Sequence, residues 1–60
     1  MDLRKIRKEN NLTQTEVANY IGITQNGYSM IENGIRKLSV DNAKLLGKIF
    51  HVDWWKFFED

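Results

Sequence analysis

The stretch TQNGYSMIENG, from Thr24 to Gly34, contains the pair Asn-Gly twice and decides the fold of the chain. Asn-Gly is the strongest short-range signal for a two-residue β-hairpin turn, so the stretch is either two turns around a short strand or one helix. Two hairpin turns need flanking strands, and the sequence lacks alternating apolar runs of four or more residues. Thr24 is a suitable N-cap, and Ile23 with Tyr28 fits the hydrophobic staple. We therefore predict a helix over about residues 25–33, which Gly34 ends.

Helix signals recur on both sides of this stretch, and we predict four more helices. They cover about residues 2–10, with Leu3 and Ile6 on the apolar face; about 14–21, between the capping box Thr13–Glu16 and Gly22; about 40–50, after the N-cap Ser39; and the stretch WWKFFE, capped by Asp53. The predicted fold is all-α, a compact five-helix bundle that forms a single domain over residues 1–60.

Composition excludes several classes of protein. The chain has 60 residues, no Cys and one His, so we expect no disulfide, no metal site and no other cofactor. No apolar run is long enough to span a membrane and no signal peptide is recognisable, so we expect a cytoplasmic protein. Three features argue against an enzyme: His51 is alone, there is no Cys nucleophile, and no carboxylate pair faces a plausible pocket. The net charge of +1 divides into +2 for residues 1–37 and −1 for residues 38–60, a weak hint of an anionic partner.

The second and third predicted helices are joined by the turn GIT, an arrangement typical of a helix-turn-helix. The segment LRKIRKENNLTQTEVANYIGITQNGYSMIENGIRKLS resembles the lambda-repressor-like, Cro/XRE-type helix-turn-helix domains. The shared motifs are L-x-x-x-R, L-T-Q-x-x-V-A, G-I-T and I-E-N-G, followed by a basic loop, and the resemblance continues through LLGKIFHVDWWKFF. It implies a sequence-specific transcriptional regulator, a repressor, that binds a near-palindromic site in double-stranded DNA as a homodimer. No small-molecule ligand is evident.

The resemblance also implies a role for the polar residues of the corner. The third helix would enter the major groove with its N-terminus first, where Gln and Asn amides pair with adenine and an apolar side chain contacts a thymine methyl. The base-reading residues would be Gln25, Asn26, Ser29 and Met30, on the exposed face opposite Tyr28 and Ile31. The phosphate-contacting residues would be Gln14, Thr24, Asn33, Arg36 and Lys37.

One position departs from the family pattern. Gly27 stands where these domains commonly have a side chain that contacts DNA, so either one contact is missing or the helix backbone approaches the DNA closely. The third helix also contains no Arg or Lys, so it cannot itself supply an arginine contact to guanine.

Two further roles are predicted for residues outside the DNA-contacting set. Arg7 and Glu32 lie on the apolar faces of their helices and match an Arg and a Glu that form a structural ion pair in the family. In the last helix Trp55 points away from its aromatic neighbours, and we expect it to lie in the dimer interface. Those neighbours are the predicted core residues Trp54, Phe57 and Phe58.

The sequence leaves two other functions open. A protein-interaction or antitoxin-like module on the same fold is favoured by the weak net charge and the uncharged third helix. The chain is alternatively the DNA-binding part of a longer regulator. The set of Gln14, Gln25, Asn26 and Asn33 favours DNA binding.

Overall fold

The computed structural model describes residues 1–59, which form four α-helices and one short 3₁₀-helix. The elements are α1 (Leu3–Glu9), α2 (Gln14–Ile21), α3 (Gln25–Glu32), α4 (Val40–Phe50) and a C-terminal 3₁₀-helix (Trp54–Phe58). The described residues contain no strand, so the all-α prediction is confirmed and the hairpin interpretation is excluded. The predicted count of five α-helices is wrong by one.

The predicted N-caps account for where three of the helices begin. Thr13 Oγ1 accepts from the backbone N–H of Glu16 (3.1 Å), and Glu16 Oε1 accepts from the N–H of Thr13 (3.0 Å), which completes the capping box before α2. Thr24 Oγ1 accepts from the N–H of Gly27 (3.0 Å) before α3, and Ser39 caps α4 in the same way.

The second Asn-Gly pair is the end of α3 and not a hairpin turn. Asn33 is the C-cap of α3, and Gly34 follows with φ of 75°, a left-handed conformation that glycine adopts without steric cost. Gly22 ends α2 in the same conformation, with φ of 78°. The two glycines therefore mark consecutive helix ends, one on each side of α3.

The core lies between α2, α3 and α4. Its largest fully buried side chains are Val17, Tyr28 and Leu46, one from each of these helices. Ala18 is also fully buried, and its small side chain lets α3 pack closely against α2. This packing fixes the angle of the helix-turn-helix corner. No helix in residues 1–59 has the length and apolar character needed to span a membrane.

The last predicted helix is not an α-helix, and Asp53 does not cap it through its side chain. The backbone N–H of Lys56 donates to Asp53 O (3.0 Å) and that of Glu59 donates to Lys56 O (3.3 Å), which are the i→i+3 bonds of a 3₁₀-helix. Five residues of mostly aromatic type have weak α-helical propensity, and without a side-chain cap they adopt the shorter-range hydrogen-bond pattern.

The 3₁₀ geometry also corrects the predicted aromatic core. Trp54 and Phe57 are half-buried against the bundle, but Phe58 is 48% exposed and is not a core residue. A 3₁₀-helix has three residues per turn, so residues i and i+3 share a face while residue i+4 is rotated away from it. The spacing that would bury Phe58 in an α-helix therefore exposes it here.

Candidate nucleic-acid interface

The first residues of α2 and α3 are joined by a side-chain hydrogen bond. Gln25 Nε2 donates to Gln14 Oε1 over 2.6 Å, and both residues lie at helix N-termini, where backbone N–H groups have no partner within their own helix. The partial positive charge of two helix ends is thus brought together on one side of the corner. This arrangement suits an anionic partner such as a phosphate backbone.

The hydrogen bond fixes which way each amide points. Gln14 Nε2 donates to Glu32 Oε1 (3.0 Å), which turns the amide oxygen of Gln14 toward Gln25. Gln25 in turn uses one N–H of its amide on Gln14, which leaves its Oε1 and its second N–H for a ligand. One acceptor and one donor side by side are what the N6 and N7 atoms of adenine require in the major groove.

Behind the two glutamines lies the carboxylate of Glu32, which joins three helices. Arg7 Nε donates to Glu32 Oε2 over 2.6 Å, Arg4 Nε donates to Oε1 over 3.3 Å, and Gln14 donates to Oε1 from α2. The Glu32 side chain is fully buried and that of Arg7 is 10% exposed. Arg7 Nη1 also donates to Leu12 O (2.8 Å), so the guanidinium ties α1 to both α3 and the α1–α2 loop. Arg7 and Glu32 thus form the ion pair that the sequence indicated.

The pKa of Glu32 reflects two opposing effects. Burial alone raises the pKa of this carboxyl, but the hydrogen bonds from Arg7 and Gln14 outweigh burial and lower it from 4.5 to about 2. The same contact with Glu32 raises the pKa of Arg7 above its ordinary value. Both groups are therefore charged in the folded protein at neutral pH.

Tyr28 lies beside this ion pair and has a fully buried side chain. Its hydroxyl makes no hydrogen bond of acceptable geometry with any described residue. Burial, reinforced by the neighbouring carboxylate of Glu32, raises the pKa of Tyr28 above its ordinary value.

The four predicted base-reading residues are not equally accessible. Gln25 and Asn26 are exposed at the start of α3, whereas Ser29 and Met30 are half-buried. The loop after α3 folds back onto this part of the helix, because the backbone N–H groups of Ile35 and Arg36 both donate to Met30 O. The accessible polar surface of α3 is therefore concentrated in its first turn.

Among the predicted phosphate contacts, Asn33 has a partner that the sequence did not single out. Arg4 Nη2 donates to Asn33 Oδ1 over 2.7 Å, in addition to the contact of Arg4 with Glu32. The Asn33 amide N–H groups remain available, apart from a long contact of 3.5 Å to Ser29 Oγ. The spacing of Arg4 and Arg7 was the available signal, because residues three apart on a helix can reach one common partner.

Gly27 is buried although it lies in the first turn of α3. A Cβ built on Gly27 would come within 2.6 Å of Arg36 Nη1 and 3.1 Å of Thr24 Oγ1. The guanidinium of Arg36 therefore covers the position at which another residue would have a side chain. Lys37, the next residue, is exposed.

Comparison with known proteins places this corner in a family. A family model described as Helix-turn-helix (HTH_3) matches residues 3–54. The chain belongs to this helix-turn-helix family. The Cro/XRE-type resemblance seen in the sequence is thereby confirmed, and the matched region includes all four α-helices.

Two relatives of this helix-turn-helix domain are similar over most of its length. The uncharacterized HTH-type transcriptional regulator YqaF of Bacillus subtilis (strain 168) is 48% identical over 58 residues, which are 97% of this chain and 76% of that protein. Antitoxin PezA of Streptococcus pneumoniae serotype 4 is 32% identical over 53 residues, which are 88% of this chain but only 34% of that protein. The chain is thus a helix-turn-helix domain of the transcriptional-regulator type, and DNA binding follows from its family.

Other features of this helix-turn-helix domain lie outside the corner. Trp55, just beyond the matched region, is 52% exposed, and its ring packs edge-on against Trp54 with 5.8 Å between centroids. Residues 1–59 contain no group of three His, Cys, Asp or Glu side chains that could hold a metal ion.

Proposed function

We propose that this protein is a transcriptional repressor that binds a near-palindromic double-stranded DNA site as a homodimer, with α3 in the major groove. The observation that supports it most is the bond between Gln14 and Gln25, which prepares one amide for base reading at the exposed end of α3. An amide already oriented before binding loses less side-chain entropy when the complex forms.

In this proposal Gln25 and Asn26 read A·T base pairs. The free Oε1 and N–H of Gln25 match the donor and acceptor of adenine, and Asn26 is exposed beside it with the same chemistry. Ser29 and Met30 contribute from their exposed parts at the edge of the helix, with the Met30 side chain against a thymine methyl.

The phosphate contacts come from donors that the fold leaves free. Thr24 Oγ1 accepts the capping bond from Gly27, so its hydroxyl hydrogen can be donated to a phosphate oxygen. Gln14 retains one amide N–H after its bond to Glu32, and Asn33 retains its amide N–H groups apart from the 3.5 Å contact with Ser29 Oγ. We assign phosphate contacts to Gln14, Thr24, Asn33, Arg36 and Lys37.

The dimer would form through the C-terminal 3₁₀-helix. Trp55 and Phe58 are exposed there by about half, and Trp is enriched where protein surfaces bury one another. A two-fold dimer would present two α3 helices to half-sites about 34 Å apart, one turn of B-DNA. A DNA-binding regulator acts where the chromosome is, so we place the protein in the cytoplasm.

The experiment that tests this proposal selects binding sites from random duplex DNA and then measures affinity against salt concentration. We expect enrichment of a near-palindromic site and a steep fall of affinity with salt, because each neutralised phosphate releases counterions. The matched control is the same duplex with scrambled half-sites. Equal retention of scrambled and selected DNA would reject sequence-specific binding.

A second candidate is a protein-interaction or antitoxin-like module. It is supported by the similarity to Antitoxin PezA and by the exposed aromatic residues of the C-terminal 3₁₀-helix. If random-duplex selection enriches no sequence, this alternative becomes the better-supported function.

A further inference from the structure

An arginine side chain from outside α3 lies against the first turn of this helix. Arg36 lies in the loop after the helix, and its Nη1 atom occupies the space beside Gly27, 2.6 Å from where a Cβ would be. The backbone brings the loop close to α3, because the N–H of Arg36 donates to Met30 O (3.2 Å) and folds the loop back along the helix.

Neither the helix dipole nor a side-chain hydrogen bond or ion pair accounts for this position of Arg36. A cation near a helix N-terminus is disfavoured by the helix dipole, and the first turn of α3 is the positive end. Arg36 has no side-chain hydrogen bond or ion pair among residues 1–59, so its guanidinium donors are free. A free guanidinium held against the positive end of a recognition helix is better explained by a ligand that it binds.

We infer that Arg36, besides contacting phosphate, reads a base and supplies the guanine contact that α3 itself lacks. This inference rests on the proposed function. The side chains of α3 include no Arg or Lys, and the missing side chain of Gly27 lets a guanidinium lie close against the helix that enters the groove. Arginine donates to guanine O6 and N7 with two parallel N–H groups, a specific contact that a phosphate does not require. Each half-site should therefore contain one guanine read by Arg36, next to the base pairs read by Gln25 and Asn26.

The inference is tested by selecting sites from random duplex DNA with the parent protein and with Arg36→Ala, Gly27→Ala and Lys37→Ala. We expect one guanine preference per half-site in the parent, its loss in Arg36→Ala, and its weakening in Gly27→Ala, because the new Cβ displaces the flexible end of Arg36. Lys37→Ala is the matched control and should weaken all sites alike while keeping the guanine. Circular dichroism verifies that each variant folds.

A chemical substitution in the DNA tests the same contact without changing the protein. Replacing that guanine by 7-deazaguanine removes the N7 acceptor and should reduce the affinity of the parent by about 5-fold or more. The same replacement should leave the affinity of Arg36→Ala unchanged.

Two results would overturn the inference, and they differ in what else they reject. If Arg36→Ala lowers affinity for all sites by one factor and keeps every base preference, Arg36 contacts phosphate only, and the proposed repressor function stands. If the parent protein enriches no site at all, the proposed function fails together with the inference.

Discussion

Gln25 donates a 2.6 Å hydrogen bond from its side-chain amide to the amide oxygen of Gln14, so the first residues of α2 and α3 act as one unit. Gln14 is itself held by the buried carboxylate of Glu32, which also binds α1 through Arg7. A series of side-chain hydrogen bonds therefore connects the surface proposed to read DNA to the ion pair that joins the helices.

Base preference should respond to Gln14 as well as to Gln25. We expect Gln25→Ala to relax the preference at one base pair of each half-site by about 1–3 kcal/mol, and Gln14→Ala to relax the same position, because it frees the Gln25 amide to rotate. In a double-mutant cycle the two effects should not add. Selection of sites with each variant provides the measurement. Additive effects at two different base pairs would show that the residues act independently.

The stability of the fold should depend strongly on Glu32. Glu32→Ala removes the partner of the buried Arg7 guanidinium, and leaving such a charge unpaired costs about 3–5 kcal/mol, comparable to the whole stability of a small domain. Urea unfolding followed by circular dichroism measures the loss. Glu9→Ala, on an exposed acid of α1, is the control and should change stability by less than about 0.5 kcal/mol. Equal effects of the two substitutions would contradict a buried pair.

Acid should unfold the protein partly by protonating Glu32. Because the folded-state pKa of Glu32 is lowered from 4.5 to about 2, its stabilising contribution is complete above pH 4.5 and is lost as pH falls toward 2. Urea midpoints measured across this range should decline with falling pH, and Glu32→Gln should flatten the decline. The exposed-acid control Glu9→Gln should retain it. An unchanged slope in Glu32→Gln would assign the acid response to other groups.

The hydroxyl of Tyr28 should not be needed for stability. It is buried without a hydrogen-bond partner among the described residues, and a buried unsatisfied hydroxyl opposes folding. Tyr28→Phe keeps the ring and should leave the free energy of unfolding unchanged or raise it by up to about 1 kcal/mol. A loss greater than about 1 kcal/mol would mean that the hydroxyl is bonded to Glu32 or Arg7 in solution.

Self-association should depend on Trp55. If the C-terminal 3₁₀-helix forms the dimer interface, Trp55→Ala should weaken dimerisation by about 2 kcal/mol or more, since truncated interface tryptophans have effects of this size. Sedimentation equilibrium over a range of concentrations gives the dimer dissociation constant. Tyr20→Ala replaces another exposed aromatic residue and should not change it. A parent protein that stays monomeric, or an equal effect of both variants, would place the interface elsewhere or exclude it.

Sequence patterns predicted the parts of this fold that depend on neighbouring residues. The caps at Thr13, Thr24 and Ser39 were correct because each cap is a contact between residues three apart. The α-helical form of the last segment was predicted wrongly, because the pattern of Trp54, Phe57 and Phe58 is compatible with both helix types over so few residues.

The candidate site was predictable in its members but not in its connections. The family resemblance named Gln14, Gln25 and Glu32, but their hydrogen bonds depend on the angle between helices and on rotamers that no local spacing fixes. The same holds for Arg36, whose side chain reaches a residue nine positions earlier only because the loop folds back onto Met30 O. Long-range side-chain contacts of this kind become visible only once the helices are packed.

Because the two glutamines are bonded to each other, some positions in the first turn of α3 tolerate substitution during evolution better than others. A substitution at Gln25 gives a new base preference only if the new side chain also tolerates Gln14, which remains attached to the buried carboxylate. Asn26 is exposed and has no side-chain hydrogen bond in the described part of the chain. A substitution there need not be compatible with a bonded neighbour. Under the proposed function, descendants of this protein can therefore change their target site through many substitutions at Asn26, whereas at Gln25 only side chains compatible with Gln14 can do so.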